Sequence, residues 1–212
     1  MAAPRPKPRL YLITPPIAEP SVFSRQLEPA LESGDVAAIL LRLAQSDERT
    51  LINRAKTIAP SVQNRDVALL LDGRFDLVAR AGADGTHVSG ATAFSEAVEQ
   101  LKPERIVGAG ALASRHDAML AAERGADYVM FGEPDTGGKC PGFAAVLERV
   151  AWWAEVFEIP CVGYAPAIEN IAPLVSAGAD FVALGDAVWN SDDIADKIRE
   201  AEKQLQLPEP AT

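Results

Sequence analysis

The sequence has 212 residues, of which 48% are hydrophobic and 24% are charged, a composition typical of one globular domain. Its 30 acidic and 20 basic side chains give a formal charge of −10, which disfavours binding to nucleic acid and to anionic membrane surfaces. The sequence has no apolar run long enough to cross a bilayer, and prolines interrupt the start where a signal peptide needs an apolar core, so we expect a cytoplasmic protein without membrane contact.

Short runs rich in leucine and β-branched residues alternate with segments of helical periodicity. This alternation is typical of a parallel sheet with crossover helices. Division of the chain by eight gives about 26 residues per unit, which fits a compact barrel. The sequence therefore predicts the α/β class and a single (β/α)8 TIM barrel over residues 10–206, between disordered segments at 1–9 and 207–212. The eight predicted strands are Leu10–Thr14, Val36–Arg42, Val67–Asp72, Asp84–Val88, Arg105–Ala109, Asp127–Gly132, Pro160–Gly163 and Asp180–Leu184.

The phrase Gly-Ala-Asp precedes three of these runs, at residues 82–84, 125–127 and 178–180. Glycine suits the left-handed residue that ends a helix, so each copy predicts a helix-to-strand junction at the bottom of the barrel. The sequence also indicates the start of a helix at Ser114, because this serine can cap the first turn and Asp117 favours the positive end of a helix. His116 is therefore expected on a surface helix.

Enzyme sites in such barrels lie at the carboxyl ends of the strands, so polar residues just past each run are the candidates. His87 has two interpretations: a structural histidine in an apolar strand, or a ligand or catalytic residue that faces the lumen. With Asp72 and Asp186 it could also form a two-carboxylate, one-histidine metal site, or the centre of an unrelated hydrolytic or isomerising activity. The candidates are Thr14, Arg42, Asp72, Arg74, Asp76, His87, Ser89, Glu133, Asp135, Thr136, Lys139, Tyr164 and Asp186.

Two other features have structural interpretations. Trp152 and Trp153 lie in a helical run from 143 to 157 and are expected to pack in the core; an outward-facing tryptophan would offer a self-association surface, which leaves a homodimer open. Cys140 and Cys161 have no Cys-x-x-Cys partner and are predicted to be free thiols.

Several phrases occur in the order and spacing of a known family: Leu-Tyr-Leu-Ile-Thr at 10–14, Ala-Asp-Gly-Thr-His at 83–87, Gly-Ala-Asp-Tyr-Val at 125–129, Ile-Pro at 159–160 and Gly-Ala-Asp at 178–180. From about residue 9 to 205 the chain resembles the thiamine phosphate synthase family, which also holds a thiazole tautomerase branch. The resemblance implies a transferase of thiamine biosynthesis that joins hydroxymethylpyrimidine diphosphate to thiazole phosphate with Mg²⁺ as cofactor. Positive charge and a metal ion would then stabilise the departing pyrophosphate.

If the family's coupling reaction is retained, the polar residues that remain would take its roles. Arg42 and Lys139 would hold the pyrophosphate, Thr136 would position the leaving group, and Asp72, one residue before the position of the family's magnesium aspartate, would hold the metal. Substrate-binding residues would be Thr14, His87, Tyr164 and Asp186.

The chain departs from the family pattern at most of its polar positions. Leu40 and Ala44 stand where a glutamine and a lysine are expected, and Gly110 replaces a serine. The expected magnesium carboxylates are replaced by Gly73 and by Thr92. The tautomerase histidine falls at Leu112 or Ala113.

The phosphate-binding stretches also differ, because Pro166 has no amide hydrogen and Asp186 adds negative charge. We therefore expect a degenerate active site whose activity is weak, altered or absent. The alternative is a non-catalytic small-molecule-binding or regulatory barrel. Its ligand would be neutral or cationic and would face an acidic rim formed by Asp72, Glu133, Asp135 and Asp186.

Overall fold

The structure is a computed structural model that describes residues 6–135 and 138–206. Eight parallel strands form a closed barrel in which each strand pairs with its neighbours in sequence and β1 pairs with β8. This confirms the predicted (β/α)8 class, and each strand begins and ends within one residue of its predicted bounds. The strands are β1 (Arg9–Ile13), β2 (Val36–Leu41), β3 (Ala68–Asp72), β4 (Gly85–Ser89), β5 (Ile106–Gly110), β6 (Tyr128–Phe131), β7 (Cys161–Tyr164) and β8 (Phe181–Leu184).

Helices follow the strands and cover the outside of the barrel. They are α1 (Pro20–Glu32), α2 (Glu48–Gln63), α3 (Val78–Ala81), α4 (Ala91–Leu101), α5 (Arg115–Glu123), α6 (Phe143–Val156), α7 (Ile171–Ser176), α8 (Asp186–Trp189) and α9 (Ile194–Leu205). Single 3₁₀ turns at 75–77 and 168–170 precede α3 and α7. Within the described residues, no helix has both the length and the apolar character needed to cross a membrane.

Strand side chains alternate between two layers, as expected for a closed barrel. The larger layer packs between the strands and the helices. The smaller layer fills the lumen and includes Tyr11, Leu40, Tyr128, Met130 and Tyr164. The lumen layer forms the floor beneath the carboxyl ends of the strands.

The three Gly-Ala-Asp phrases lie at helix-to-strand junctions, as predicted. Gly82, Gly125 and Gly178 have φ angles of 72°, 92° and 95°, which are left-handed values that glycine adopts without strain. Each aspartate of the phrase also accepts a backbone N–H from the preceding strand of the barrel, at 2.7 to 2.8 Å. The phrase therefore stabilises the bottom of the barrel, away from the candidate residues.

Several smaller features predicted from the sequence are visible in the structure. Ser114 and Asp117 form a capping box at the start of α5, and His116 is exposed on that helix. Trp153 is fully buried, whereas Trp152 is half-buried beneath the guanidinium of Arg115. Both cysteines are free thiols. The predicted disordered segments fall largely on residues 1–5 and 207–212, which lie outside the described part of the chain.

Candidate active site

A cavity of about 410 Å³ opens at the carboxyl ends of the strands. It collects nine of the candidate residues, because all eight strands end at this face of the barrel. Those nine are Thr14, Arg42, Asp72, His87, Ser89, Glu133, Asp135, Tyr164 and Asp186. The remaining lining residues are Ile13, Leu40, Ala111, Met130, Pro134 and Gly185.

Arg42 and Asp72 form an ion pair across the ends of β2 and β3, with Nε of the arginine 3.1 Å from Oδ2 of the aspartate. Thr14 is buried, and its hydroxyl accepts the backbone N–H of Arg42 at 3.0 Å and donates to the carbonyl of Pro15. The threonine hydroxyl therefore joins β1 to β2, and the guanidinium of Arg42 already faces a carboxylate.

Tyr164 and Asp186 lie on the opposite side of the cavity, at the ends of β7 and β8. Burial raises the pKa of the Tyr164 hydroxyl, and the neighbouring Cys140 and Asp186 raise it further. Asp186 is the first residue of α8 and is exposed. This side of the cavity therefore presents a neutral phenol beside a carboxylate.

His87 points into the lumen from β4, so the lumen-facing interpretation describes its position. Its Nδ1 lies 3.1 Å from the hydroxyl of Tyr128, which in turn lies 2.8 Å from the hydroxyl of Tyr11. Burial raises the pKa of both tyrosines, so the two phenols stay protonated. The His87 side chain is 3% exposed, and among the described residues its Nε2 has no hydrogen-bond partner.

Glu133 follows β6 and approaches His87 from the other side, with 3.9 Å between Oε1 and Nε2 of the imidazole. The same carboxylate accepts the backbone N–H of Ala111. Ala111 has a φ of 50°, a left-handed value that is strained for a residue with a Cβ. The turn after β5 is therefore held in a strained form that presents its amide to Glu133.

The four other candidates do not reach the cavity wall or cannot be placed. Lys139 lines a neighbouring depression with Ala111, Glu133 and Asp135 rather than the cavity that holds Arg42. Arg74 and Asp76 lie outside the cavity wall, where the exposed Asp76 accepts two hydrogen bonds from the guanidinium of Arg74, at 2.8 and 2.9 Å. Thr136 lies outside the described residues.

Sequence reasoning did not identify the tyrosine pair beneath the cavity or the two glycines beside it. Tyr11 and Tyr128 lie in apolar strands, where a buried phenol needs a hydrogen-bond partner. Gly108 and Gly110 lie two residues apart, on the same face of β5. Alternate glycines in a lumen strand leave room for large neighbours, and this spacing was the available signal.

Comparison with known proteins identifies the family. A family model described as "Thiamine monophosphate synthase" matches residues 10–188. The chain belongs to this family. It is 45% identical to a thiamine-phosphate synthase of Rhodospirillum centenum, over 86% of this chain and 89% of that protein. A second relative, the thiamine-phosphate synthase of Hyphomonas neptunium, is 40% identical over 91% and 90% of the two chains.

A solved structure agrees with this assignment. The thiamine phosphate pyrophosphorylase of Pyrococcus furiosus superposes with a TM-score of 0.77 at 25% identity, covering 94% of this chain and 96% of that one. A 3-hexulose-6-phosphate synthase superposes with a TM-score of 0.72 at 15% identity, which reflects the shared fold alone. The family assignment therefore rests on sequence and structure together.

The thiamine phosphate synthase family implies magnesium, so the oxygen donors of the cavity decide whether it could hold that ion. Mg²⁺ prefers an octahedral set of oxygen ligands, usually carboxylates together with substrate phosphates and water. Asp72 is paired with Arg42, while Gly73 and Thr92 occupy the two positions where the resemblance expects carboxylates. Among the described residues no three His, Cys, Asp or Glu side chains form a group that could hold a metal ion. The donor set therefore does not fit a magnesium centre, and this also applies to the trio of Asp72, His87 and Asp186.

Proposed function

We propose that this member of the thiamine phosphate synthase family carries a degenerate site, in which the coupling of hydroxymethylpyrimidine diphosphate with thiazole phosphate is weak, altered or absent. The observation that carries the proposal is the charge of the cavity. Among the described residues, its wall holds the four carboxylates of Asp72, Glu133, Asp135 and Asp186 and a single guanidinium, that of Arg42. Two phosphorylated substrates need the opposite balance.

The repulsion is large enough to matter. Two like charges 4 Å apart repel by about 1 kcal/mol in water and by about 4 kcal/mol at the effective dielectric near a protein surface. Asp186 adds such a charge at the end of β8, and Pro166 supplies no amide hydrogen after β7. Arg42 offsets little of this, because Asp72 already pairs with it.

The direct test is an assay of the purified protein with both substrates and Mg²⁺, with the Pyrococcus furiosus relative as positive control. We expect product formation at least about 100-fold slower than in that relative, the loss typical when a preorganised group that stabilises developing charge is removed. Normal turnover would show that the site is intact and would overturn the proposal.

A pair of variants tests the cause. Asp186→Ser removes a cavity charge and is expected to strengthen binding of thiazole phosphate by about tenfold, since 1.4 kcal/mol corresponds to that factor. Asp192→Ser removes the same charge from an exposed residue that is not part of the cavity wall, and is expected to change binding little. Equal effects of the two variants would contradict a role for the cavity charge.

The second candidate function is a non-catalytic barrel that binds a neutral or cationic small molecule. The acidic rim favours this function, because carboxylates attract cations and do not repel uncharged ligands. Thermal-shift measurements with thiamine, pyrimidine amines and phosphorylated thiazoles would separate the two functions. Stabilisation by the phosphorylated ligands above the others would contradict the binding-barrel function.

The cytoplasmic location, the homodimer and the domain bounds at 10 and 206 stay predictions.

A further inference from the structure

We propose that the open end of the cavity between β7, β8 and β1 is a subsite for the protonated amino group of a small organic amine. Three oxygens of the cavity wall would hold the ammonium: the hydroxyl of Tyr164, the carboxylate of Asp186 and the main-chain carbonyl of Ile13. These three acceptors match the three N–H donors of a primary ammonium. The inference rests on the proposed function, because it names the ligand class that takes the place of a phosphate in the same cavity.

The hydroxyl of Tyr164 is the group that points to a ligand. The residue is nine-tenths buried, with 9% of its surface exposed, and its side chain belongs to the lumen layer at the end of β7. In the part of the chain that the structure describes, this hydroxyl has no hydrogen-bond partner, whereas those of Tyr11 and Tyr128 bond to each other. Buried phenols usually find a partner, so a phenol left over in a cavity wall is available to a ligand.

The space beside this hydroxyl is open because a glycine follows β8. Apart from its chain neighbours, a Cβ built on Gly185 would meet no atom closer than 3.7 Å, an ordinary van der Waals distance. The two nearest atoms to that point are the Tyr164 hydroxyl oxygen and the Ile13 carbonyl oxygen, each 3.7 Å away. All three residues line the cavity. The cavity therefore extends to both oxygens without any movement of the chain.

The oxygens around this space act as acceptors. The Ile13 carbonyl accepts the indole N–H of Trp189 at 2.7 Å, which fixes its direction and leaves it a second lone pair. Burial raises the pKa of the Tyr164 hydroxyl, so the phenol stays neutral and its oxygen can accept a hydrogen bond. Asp186 follows Gly185 directly and supplies the negative charge. An ammonium can donate to all three groups, whereas a phosphate would meet acceptors on three sides.

The rest of the cavity suits a small amine with an apolar frame. The guanidinium of Arg42 already pairs with Asp72 at 3.1 Å, so its positive charge is largely offset. No second Lys or Arg is present among the described residues of the cavity wall. Leu40 and Met130 of the lumen layer form an apolar floor against which the carbon frame of the ligand can pack.

Three matched probes test the subsite: benzylamine, benzyl alcohol and benzyltrimethylammonium. Benzylamine is protonated at neutral pH and has three N–H donors. The alcohol lacks the charge, and the trimethylammonium has the charge but no donor. By ligand-observed NMR titration we expect the wild-type protein to bind benzylamine about tenfold more tightly than either control, as for the loss of a hydrogen bond to a charged group.

Variants locate the effect. Asp186→Asn keeps the shape of the side chain and should lower the affinity for benzylamine about tenfold while leaving that for benzyl alcohol unchanged. Asp192→Asn makes the same change at an exposed residue outside the cavity wall and should leave both affinities unchanged. Tyr164→Phe keeps the ring, removes one acceptor and should lower the affinity for benzylamine severalfold. Equal effects of the two asparagine variants on benzylamine would overturn the subsite.

Urea unfolding tests the Tyr164 hydroxyl without any ligand. Because it has no hydrogen-bond partner within the described chain, Tyr164→Phe should leave the unfolding midpoint unchanged. A clear drop in the midpoint would show that the hydroxyl already has a partner in the protein and would overturn the subsite.

Failure of the subsite and failure of the proposed function have different signatures. Equal binding of the three probes by the wild-type protein, or no binding of benzylamine, would overturn the subsite and leave the degenerate site intact as a proposal. Normal turnover in the coupling assay would overturn the proposed function itself, and with it the inference that rests on it.

Discussion

Tyr128 is the residue at which the polar contacts of the barrel lumen meet. Its hydroxyl contacts both Tyr11 and His87, and its ring stacks on the imidazole with 5.7 Å between ring centroids. The ring fills space that Gly108 leaves open, since a Cβ there would lie 2.0 Å from Cζ of the tyrosine. One phenol thus supports both the packing of the lumen and the orientation of His87.

Phenylalanine substitutions at the two tyrosines should differ in cost. Tyr128→Phe leaves two buried groups without partners, the Tyr11 hydroxyl and Nδ1 of His87, and is expected to lower the free energy of unfolding by about 2 to 4 kcal/mol. In Tyr11→Phe the Tyr128 hydroxyl keeps Nδ1 of His87 as its partner, so this substitution should cost about 1 kcal/mol. Urea unfolding measures both losses, and equal losses would show that the Tyr128 hydroxyl does not bridge Tyr11 and His87.

The turn at Ala111 offers a second comparison. Ala111→Gly removes the strain of a left-handed alanine, which costs about 1 to 2 kcal/mol, but adds about 0.5 to 1 kcal/mol of backbone entropy to the unfolded chain. We expect a net gain in stability of about 0.5 kcal/mol by urea unfolding. Gly90→Ala is the opposite control, since its φ of 90° suits glycine, and it should destabilise the protein. A loss of stability in Ala111→Gly would show that the turn is unstrained.

Single residues show where sequence reasoning reaches its limit. The sequence placed Thr14 and His87 at strand ends, and both line the cavity. It could not show that the Thr14 hydroxyl is already bonded to the backbone of Arg42, because that contact joins strands 28 residues apart in the chain. Nor could it choose the face of β4 on which His87 lies, since a strand of this composition packs apolar residues on both faces.

At the scale of elements, the repeated Gly-Ala-Asp phrase has a wider role than a helix end. Asp84, Asp127 and Asp180 precede β4, β6 and β8, and each carboxylate accepts a backbone N–H of the preceding strand. Three of the eight pairs of neighbouring strands, β3 with β4, β5 with β6 and β7 with β8, are thereby joined at the bottom of the barrel. The glycine was predictable from the phrase, whereas the hydrogen bond of the aspartate required the register of the strands.

Replacement of Asp180 tests this fastening. Asp180→Ala leaves the backbone N–H of Cys161 without this acceptor and is expected to cost about 1 to 3 kcal/mol of unfolding free energy. Asp180→Asn keeps an oxygen that can accept the same hydrogen and should cost less. Urea unfolding measures the loss of stability in both variants. Ligand binding in the cavity, at the other end of the barrel, should not change and serves as the control. Equal losses for the two variants would assign the effect to charge rather than to the hydrogen bond.

The elements themselves were largely predictable, and the loops were not. Strand bounds follow from apolar composition and junction residues. The positions of Glu133 and Asp135 depend on the loop after β6, which begins at Gly132 with a φ of 100°. No periodicity describes such a loop, so the sequence identified these carboxylates as an acidic rim but not the approach of Glu133 to His87.

At the scale of the whole molecule, the net charge and the cavity have the same sign. The protein has a formal charge of −10, and the part of the chain that the structure describes places four carboxylates and one guanidinium around the cavity. Fields of one sign are focused in clefts, so the potential at this mouth should exceed that of the surrounding surface. The barrel as a whole therefore disfavours anionic ligands before any contact is made.

Salt dependence separates this long-range effect from local contacts. The Debye length falls from about 30 Å at 0.01 M salt to about 8 Å at 0.15 M, so added salt screens the repulsion between the molecule and a phosphate ester. We expect the affinity for thiazole phosphate, measured by calorimetry, to rise severalfold over this range. The affinity for the uncharged thiazole alcohol should stay constant, which controls for other effects of salt. A phosphate affinity that falls with salt would mean that Arg42 and Lys139 create a locally positive site, because screening lowers the affinity only where the net interaction is attractive.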